Sequence, residues 1–405
     1  MSNMVNPSRL PHSGFVLRPL SFIFLFFVLL LFVYYIPLPA YLDFQVIYHA
    51  DMGLLRGIPL YDHAGQVGMI AELAHVEPEQ VYVLPFPYPP WYALATLFLA
   101  LLPIETAARL WFGLNMSMLL TSIWLLSHRE EAKSAKLFEN IFPYLLAIFF
   151  LPVLGTLFVG QYTLPVLLGA SLWAYAVRKE NAPLAALASV LLTFKPHLGG
   201  LLLLAALVHL LSRRDAFGRR ALTYTLGVGL LLFVSGFLAD SAWPVNYLRS
   251  LLAFRSDAGV ASCDLCASLP VALVRLMTGQ PSLASAPWIG LGLFLVLLAA
   301  LIWTRRAILF APHWLMAFSI LAALLVNPYL LNYDFVLLLF VFCVLFFSSR
   351  SPAKTLLLVI AYLLPYLALG LWGREGNFAF SVSALILLAL TFRDNRQLDG
   401  SSRAA

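Results

Sequence analysis

Two carboxylates, Asp43 and Asp51, stand eight residues apart in YLDFQVIYHADMGLLRGIPLYD (41–62), directly after a strongly apolar run. A carboxylate at the mouth of an apolar cavity can have its pKa tuned toward neutrality and serve as a general base or anchor a reacting group. The alternative is a solvated loop acid. On a helix, that spacing places Asp51 about 80° around from Asp43, adjacent but not aligned. A second cluster, TFKPH, sets Lys195 and His197 between two apolar runs, with Pro196 breaking the helix. A lysine there suits a phosphate as a point charge, and it equally suits a snorkelling position at a helix end. In NPYLLNYDF (327–335), Asn327, Asn332 and Asp334 interrupt apolar runs. Ionisable groups within a membrane are costly and mark functional sites, so Asp334 is a second acid/base or sugar-hydroxyl ligand unless its turn lies in water.

The elements that must hold these groups are apolar helices. The 405 residues are 62% hydrophobic and 11% charged, with a mean hydropathy of +0.89. A soluble domain carries roughly 25% charged residues. Runs long enough for about 30 Å of hydrocarbon recur along the chain, and in lipid they must be helical to satisfy their own backbone groups. The expected fold is therefore an all-α polytopic membrane protein, one integral domain over residues 1–405. About twelve spans are expected, near 15–38, 107–127, 140–158, 161–177, 181–194, 196–212, 220–239, 285–304, 308–326, 333–348, 354–372 and 376–392. The first run is too long for a cleaved signal and reads as a retained helix.

Lysine and arginine collect on the cytoplasmic side of membrane proteins. The clusters Arg129/Lys133/Lys136, Arg213/Arg214/Arg219/Arg220 and Arg393/Arg396/Arg403 then place both termini inside. With these, Arg9, Arg18, Arg178, Lys179, Arg305, Arg306, Arg350 and Lys354 also fall inside, and the other seven of the 25, Arg56, Arg109, Lys195, Arg249, Arg255, Arg275 and Arg374, fall outside or near outer helix ends. That topology makes residues 39–106 a first outer loop, with an interfacial or re-entrant helix at 89–103. Residues 240–284 form a second outer loop. Polarity is concentrated on the outer face, while the inner turns, HREEAKSAK (128–136) among them, are short and basic.

The net charge of +6 follows from this distribution and does not argue for nucleic acid. With no nucleotide-binding domain and no Gly-rich phosphate loop, ATP-driven transport is not expected. No acid cluster at ligand spacing calls for a metal. Cys263 and Cys266 would be free to pair in an oxidising compartment, and Cys343 belongs to a span. FPYPPW (86–91) serves either as a rigid entry to the interfacial helix or as an aromatic platform for a sugar.

Taken in order, DFQVIYHADMGLLRGIPLYD with FPYPPW, GQYTLPVLLGASLWAY, LLTFKPHLGGLLLLAALVHLLSRR and NPYLLNYDFVLLL resemble glycosyltransferase family 87 over roughly residues 40–335. The resemblance implies a GT-C-type fold in a plasma membrane, with catalysis on the outer face. It implies a polyprenyl-phosphate hexose, mannose in the family, as donor substrate and a glycolipid or glycan as acceptor, with no certain cofactor. By position it makes Asp43 the general base and Lys195, with His197, the donor-phosphate contact. It places Tyr48, Asp51, Tyr88, Gln161, Asn332, Tyr333 and Asp334 in the substrate pocket. Asp51 and Asn327 stand where small residues are expected. One base opposite the leaving phosphate favours inversion at the anomeric carbon. The competing reading is a transporter or flippase of a lipid-linked sugar, which should carry polar residues at the midplane of paired broken helices.

Overall fold

The computed structural model describes residues 42–127, 137–304, 311–348 and 351–404, so the expected first span, the 128–136 turn and the 305–310 turn lie outside the described residues. Among the described residues the chain is helical throughout, with no strand. The helices are α1 (Leu42–Leu55), α2 (His63–Ala74), α3 (Pro90–Thr96), α4 (Ile104–Ser127), α5 (Leu137–Ile148) and α6 (Leu151–Val159). They continue with α7 (Thr163–Arg178), α8 (Ala182–Leu192), α9 (Pro196–Ser212), α10 (Ala216–Ala239), α11 (Trp243–Ser256) and α12 (Ala258–Ser262). The last six are α13 (Leu269–Thr278), α14 (Ala286–Thr304), α15 (Pro312–Val326), α16 (Leu338–Phe347), α17 (Pro352–Trp372) and α18 (Phe378–Ala404).

Local chemistry sets many of the boundaries. Proline occupies the first turn of α3, α6, α8, α9, α11, α13, α15 and α17. There its fixed φ suits the helix and its missing N–H would have had no partner anyway. Side-chain caps add to this: Asn181 accepts from the Leu184 N–H at 3.0 Å, and Asp215 from the Gly218 N–H at 2.7 Å. Each such cap contributes about 1 kcal/mol.

Two expected spans are interrupted in the structure, and α18 runs past the expected end at 392 to Ala404. The 140–158 run breaks between α5 and α6 with a bend of 58°, since Pro152 in the first turn of α6 cannot extend the preceding helix. The 333–348 run begins as a 3-10 turn, Asn332–Leu337, before α16. The 89–103 piece is α3 followed by the 3-10 turn Leu97–Leu101. Its Pro90–Leu101 stretch is about 18 Å long at 1.5 Å per residue, too short to cross hydrocarbon.

Helices apolar on all sides belong in the centre. Residues Trp314 to Leu325 of α15 are buried without interruption, as are Leu338 to Cys343 of α16, and α7 packs with them. Around this core, α10, α14 and α17 leave Leu230, Leu231, Leu238, Val296, Leu356 and Leu367 exposed. So large an apolar surface suits hydrocarbon better than water. Helices α4 and α10, each of 24 residues, are long and apolar enough to cross a bilayer. The stretch Pro352–Asp394 is equally apolar, but it folds back as a hairpin of α17 and α18, because Lys354 and Asp394 meet in an ion pair.

Helices α8 and α9 meet closely at Gly199. A Cβ on Gly199 would lie 1.8 Å from the Leu192 carbonyl oxygen, so only glycine lets the first turn of α9 abut the end of α8. That contact fixes the tight turn carrying Lys195. A smaller cluster holds α12, α13 and the Cys263–Cys266 disulfide, closed at a Cα–Cα distance of 5.1 Å.

The α17–α18 hairpin generates a prediction. Lys354 and Asp394 are both buried, and Ser348 Oγ donates to Asp394 Oδ2 at 2.6 Å. Asp394→Ala leaves a buried ammonium without its counter-charge and should lower stability by about 3–5 kcal/mol, whereas Lys354→Met with Asp394→Leu should recover most of that loss. Thermal unfolding in detergent checks both. Wild-type stability in Asp394→Ala would show that the pair is not what closes the hairpin.

Candidate active site

The site is assembled from three segments far apart in the chain. The first is α1. Its Phe44 lies at 6.4 Å from Trp111, ring to ring, and Tyr48 donates its hydroxyl to the Leu102 carbonyl at 2.7 Å. These contacts lock α1 onto α4 and the turn before it, leaving Asp43 in the first turn, where the helix dipole favours a negative charge. Tyr48 is thus packed on a backbone carbonyl. The second segment is the turn Gly160–Gln161–Tyr162 between α6 and α7. Gly160 has φ of +74°, and a Cβ there would come within 2.7 Å of the Phe44 Cβ. The Gly160 carbonyl accepts from the Trp111 indole at 2.9 Å. Only glycine allows both that backbone conformation and that approach, and the result is to set Gln161 beside Asp43.

Gln161 donates through Nε2 to Asp43 Oδ2 at 2.5 Å, and its Oε1 accepts from Lys195 Nζ at 3.0 Å and from the Tyr162 N–H at 3.1 Å. An amide has one donating and one accepting end, and here the donating end faces the carboxylate and the accepting end the ammonium. Tyr162 donates its hydroxyl to the Asp43 carbonyl. Burial raises the Asp43 pKa above the ordinary carboxylate value, and the Gln161 hydrogen bond and the Lys195 charge oppose part of that rise.

The third segment carries Asp334. Lys195 and Asp334 are 2% and 1% exposed, and Lys195 Nζ lies 2.5 Å from Asp334 Oδ1. Thr163 accepts from Lys195 at 3.0 Å and donates to Asp334 Oδ1 at 3.1 Å, while the Leu331 N–H bonds Asp334 Oδ2 at 3.0 Å. The ammonium also lies 5.0 Å from the centre of the Tyr333 ring. A buried pair repays its desolvation only when the remaining lone pairs and protons are satisfied, and that condition holds here. All three N–H groups of Lys195 have acceptors in the protein.

A cavity of about 310 Å³ opens beside this network, with Tyr88, Gln161, Lys195, His197, Tyr333 and Asp334 on its wall. Tyr88 stands edge-on to Tyr162 at 4.9 Å, and its strap is held by Tyr61 donating to the Tyr88 carbonyl at 2.8 Å. His197 also accepts, through its backbone carbonyl, from Asn327 at 2.6 Å. The structure therefore brings Asp43, Tyr88, Gln161, Lys195, His197, Tyr333 and Asp334 together.

Three expected pocket residues, Tyr48, Asp51 and Asn332, do not line this cavity, and Tyr48 is the one already placed on the Leu102 carbonyl. Asn332 lines a neighbouring groove of about 440 Å³ with Leu154, Phe158 and Asn377, and Tyr333 borders both spaces. Asp51 is wholly buried, neither of its carboxylate oxygens has a hydrogen-bond partner, and burial pushes its pKa well up. Burial favours the neutral form of Asp51, whereas Asp43 has Gln161 and the Lys195 charge to favour its ionised form. Among the described residues no group of three or more His, Cys, Asp or Glu converges as a metal site would require.

Sequence reasoning missed Thr163, which completes the Lys195–Asp334 network, and Tyr162, which fixes the Asp43 backbone. Both are adjacent to Gln161 in GQYT, but nothing in a single sequence pairs that turn with residue 334. Arg255 also lies on the cavity wall. It is legible from the sequence only as one of several outer cations.

Comparison with known families supplies an independent finding. The family model for glycosyltransferase family 87 matches residues 86–331. No curated protein matches the chain. The matched stretch includes Tyr88, Gln161, Lys195 and His197, and it stops before Asp334. Asp43 precedes it and joins the site through its hydrogen bond to Gln161. With more than half of its residues matched in one continuous stretch, the chain belongs to glycosyltransferase family 87 and is a membrane glycosyltransferase.

Proposed function

We propose that this enzyme moves a hexose, mannose by family expectation, from a polyprenyl-phosphate donor to a lipid or glycan acceptor, with inversion at the anomeric carbon. The single observation that carries the reading is the Asp43–Gln161–Lys195–Asp334 chain beside the 310 Å³ cavity. It supplies one ionisable base held by a fixed amide, with cationic charge behind it. In the reaction the acceptor hydroxyl transfers its proton to Asp43 as its oxygen attacks the anomeric carbon. The bond from that carbon to the phosphate oxygen breaks, and polyprenyl phosphate leaves. Tyr88 and Tyr333 offer aromatic faces to the sugar.

Lys195 and His197 stand where the donor phosphate is expected. Lys195 contributes there by orienting Gln161, since its N–H groups already have acceptors and Asp334 balances its charge. The distribution of charge in the sequence supports about twelve spans with both termini cytoplasmic and the cavity facing outside, and family membership supports the plasma membrane as its place. The chain is read as a single membrane domain.

Two experiments test the chemistry. Purified enzyme in lipid, given radiolabelled polyprenyl-phosphate hexose and a glycolipid extract, should form a labelled product of inverted configuration. Asp43→Asn should lower that rate about 10²- to 10⁴-fold with the fold intact. Wild-type rates in the variant would refute the base assignment, and a retained configuration would refute inversion.

The second test is the pH dependence of kcat/KM. A base works ionised, so activity should fall as pH drops through the Asp43 pKa, which burial sets above the usual value of about 3.9. Gln161→Leu removes a hydrogen bond that holds this pKa down, so the acid limb should move to higher pH. An acid limb at the wild-type position in that variant would show that Gln161 does not tune Asp43.

A further inference from the structure

The leaving group of the proposed reaction is a phosphate on a membrane lipid, and its site needs a cation with N–H groups still available. Lys195 does not meet that need, because its three N–H groups are held by Gln161, Thr163 and Asp334 and its charge is balanced by Asp334. Arg255 is the other formal cation on the cavity wall. With the Lys195–Asp334 pair self-neutralised, Arg255 gives the lining its net positive charge.

Its setting suits a lipid phosphate for a second reason. Arg255 lies in the last turn of α11, where a cation complements the helix dipole. Leu251 and Phe254 of the same helix line the cavity, and Ser250 Oγ bonds the Phe86 carbonyl at 2.7 Å, tying α11 to the strap that carries Tyr88. Val245, Leu248 and Leu252 are exposed, giving α11 an unpartnered apolar side of the kind that lies in the headgroup region of a bilayer. Arg255 is an exposed residue, and its Nη2 reaches the Leu283 carbonyl only at 3.5 Å, the long limit of a hydrogen bond. The other N–H donors of its planar fork are open to a phosphate, which they can grip in bidentate fashion.

We propose that Arg255 binds the phosphate of the lipid-linked sugar donor and stays with it as the leaving group departs. The assignment rests on the donor being a phosphate-linked sugar. In this arrangement Arg255 is the direct phosphate ligand, and Lys195 is a positioning residue that holds Gln161 and, through it, Asp43.

The test compares wild type, Arg255→Gln and Arg255→Lys in lipid. Donor KM is measured, together with competition and thermal shift by farnesyl phosphate and by farnesol, which shares the chain and lacks the phosphate. Arg255→Gln should raise donor KM and weaken farnesyl phosphate by about 10- to 100-fold, the range for a lost charge-assisted contact. Acceptor KM and the weak effect of farnesol should not move, and Arg255→Lys should recover part of the loss. Wild-type transfer with donor KM and farnesyl phosphate affinity unchanged in Arg255→Gln would overturn the Arg255 assignment alone. Absence of transfer from any polyprenyl-phosphate hexose, with no effect of farnesyl phosphate on wild type, would overturn the donor reading and this assignment with it.

Discussion

The arrangement of the site depends on one buried ion pair, Lys195 with Asp334. Two charges almost completely removed from solvent are tolerable only when every lone pair and proton around them is satisfied. The chain meets that demand by drawing three distant segments to one point. The turn before α7 gives Gln161 and Thr163, the turn before α9 gives Lys195, and the 3-10 turn before α16 gives Asp334. Each turn follows directly on a helix packed in the apolar core, so the polar network and the core position each other. Gly160 and Gly199 are the points at which this convergence leaves no room for a side chain.

Within that frame, Gln161 couples a structural charge to a chemical one. Its amide is held at both ends by groups of opposite sign, which gives Asp43 a fixed hydrogen-bond partner in a largely apolar setting. Asp51, on the same helix, shows what happens without such a partner. It lies near Tyr92 of α3 and Tyr162 of the turn before α7, its oxygens have no hydrogen-bond partner, and burial pushes its pKa well up. The two acids are of one type and one helix, and their environments separate them.

The opposite end of the molecule repeats the physical theme with no sign of chemistry. Lys354, Asp394 and Ser348 form a second buried polar cluster, and its effect is to close the α17–α18 hairpin. A cavity of about 350 Å³ adjoins it, lined almost wholly by apolar side chains such as Phe142, Phe346 and Tyr362. A buried ion pair alone therefore does not mark a site in this fold. What distinguishes Lys195–Asp334 is its bridge to a third ionisable group and the cavity beside it, whose wall also carries Gln161, His197 and Arg255.

Composition and periodicity determined the helical, lipid-suited character of the chain, because a run of apolar residues in hydrocarbon has no other way to satisfy its backbone. The sequence likewise marked Asp43, Lys195 and Asp334 individually, since a charge next to apolar runs is costly and stands out. It placed most helix boundaries within a few residues, helped by proline at the first turns. The breaks at 149–150 and 332–337 did not stand out, because broken and continuous helices have the same hydropathy. What only the tertiary structure decided is which polar residues meet. Gln161 contacts Asp43 across 118 positions and Lys195 contacts Asp334 across 139. No local pattern encodes pairings at such separations, because they are set by how helices pack. The same packing buried Asp51, committed every N–H of Lys195 and set Arg255 on the cavity wall.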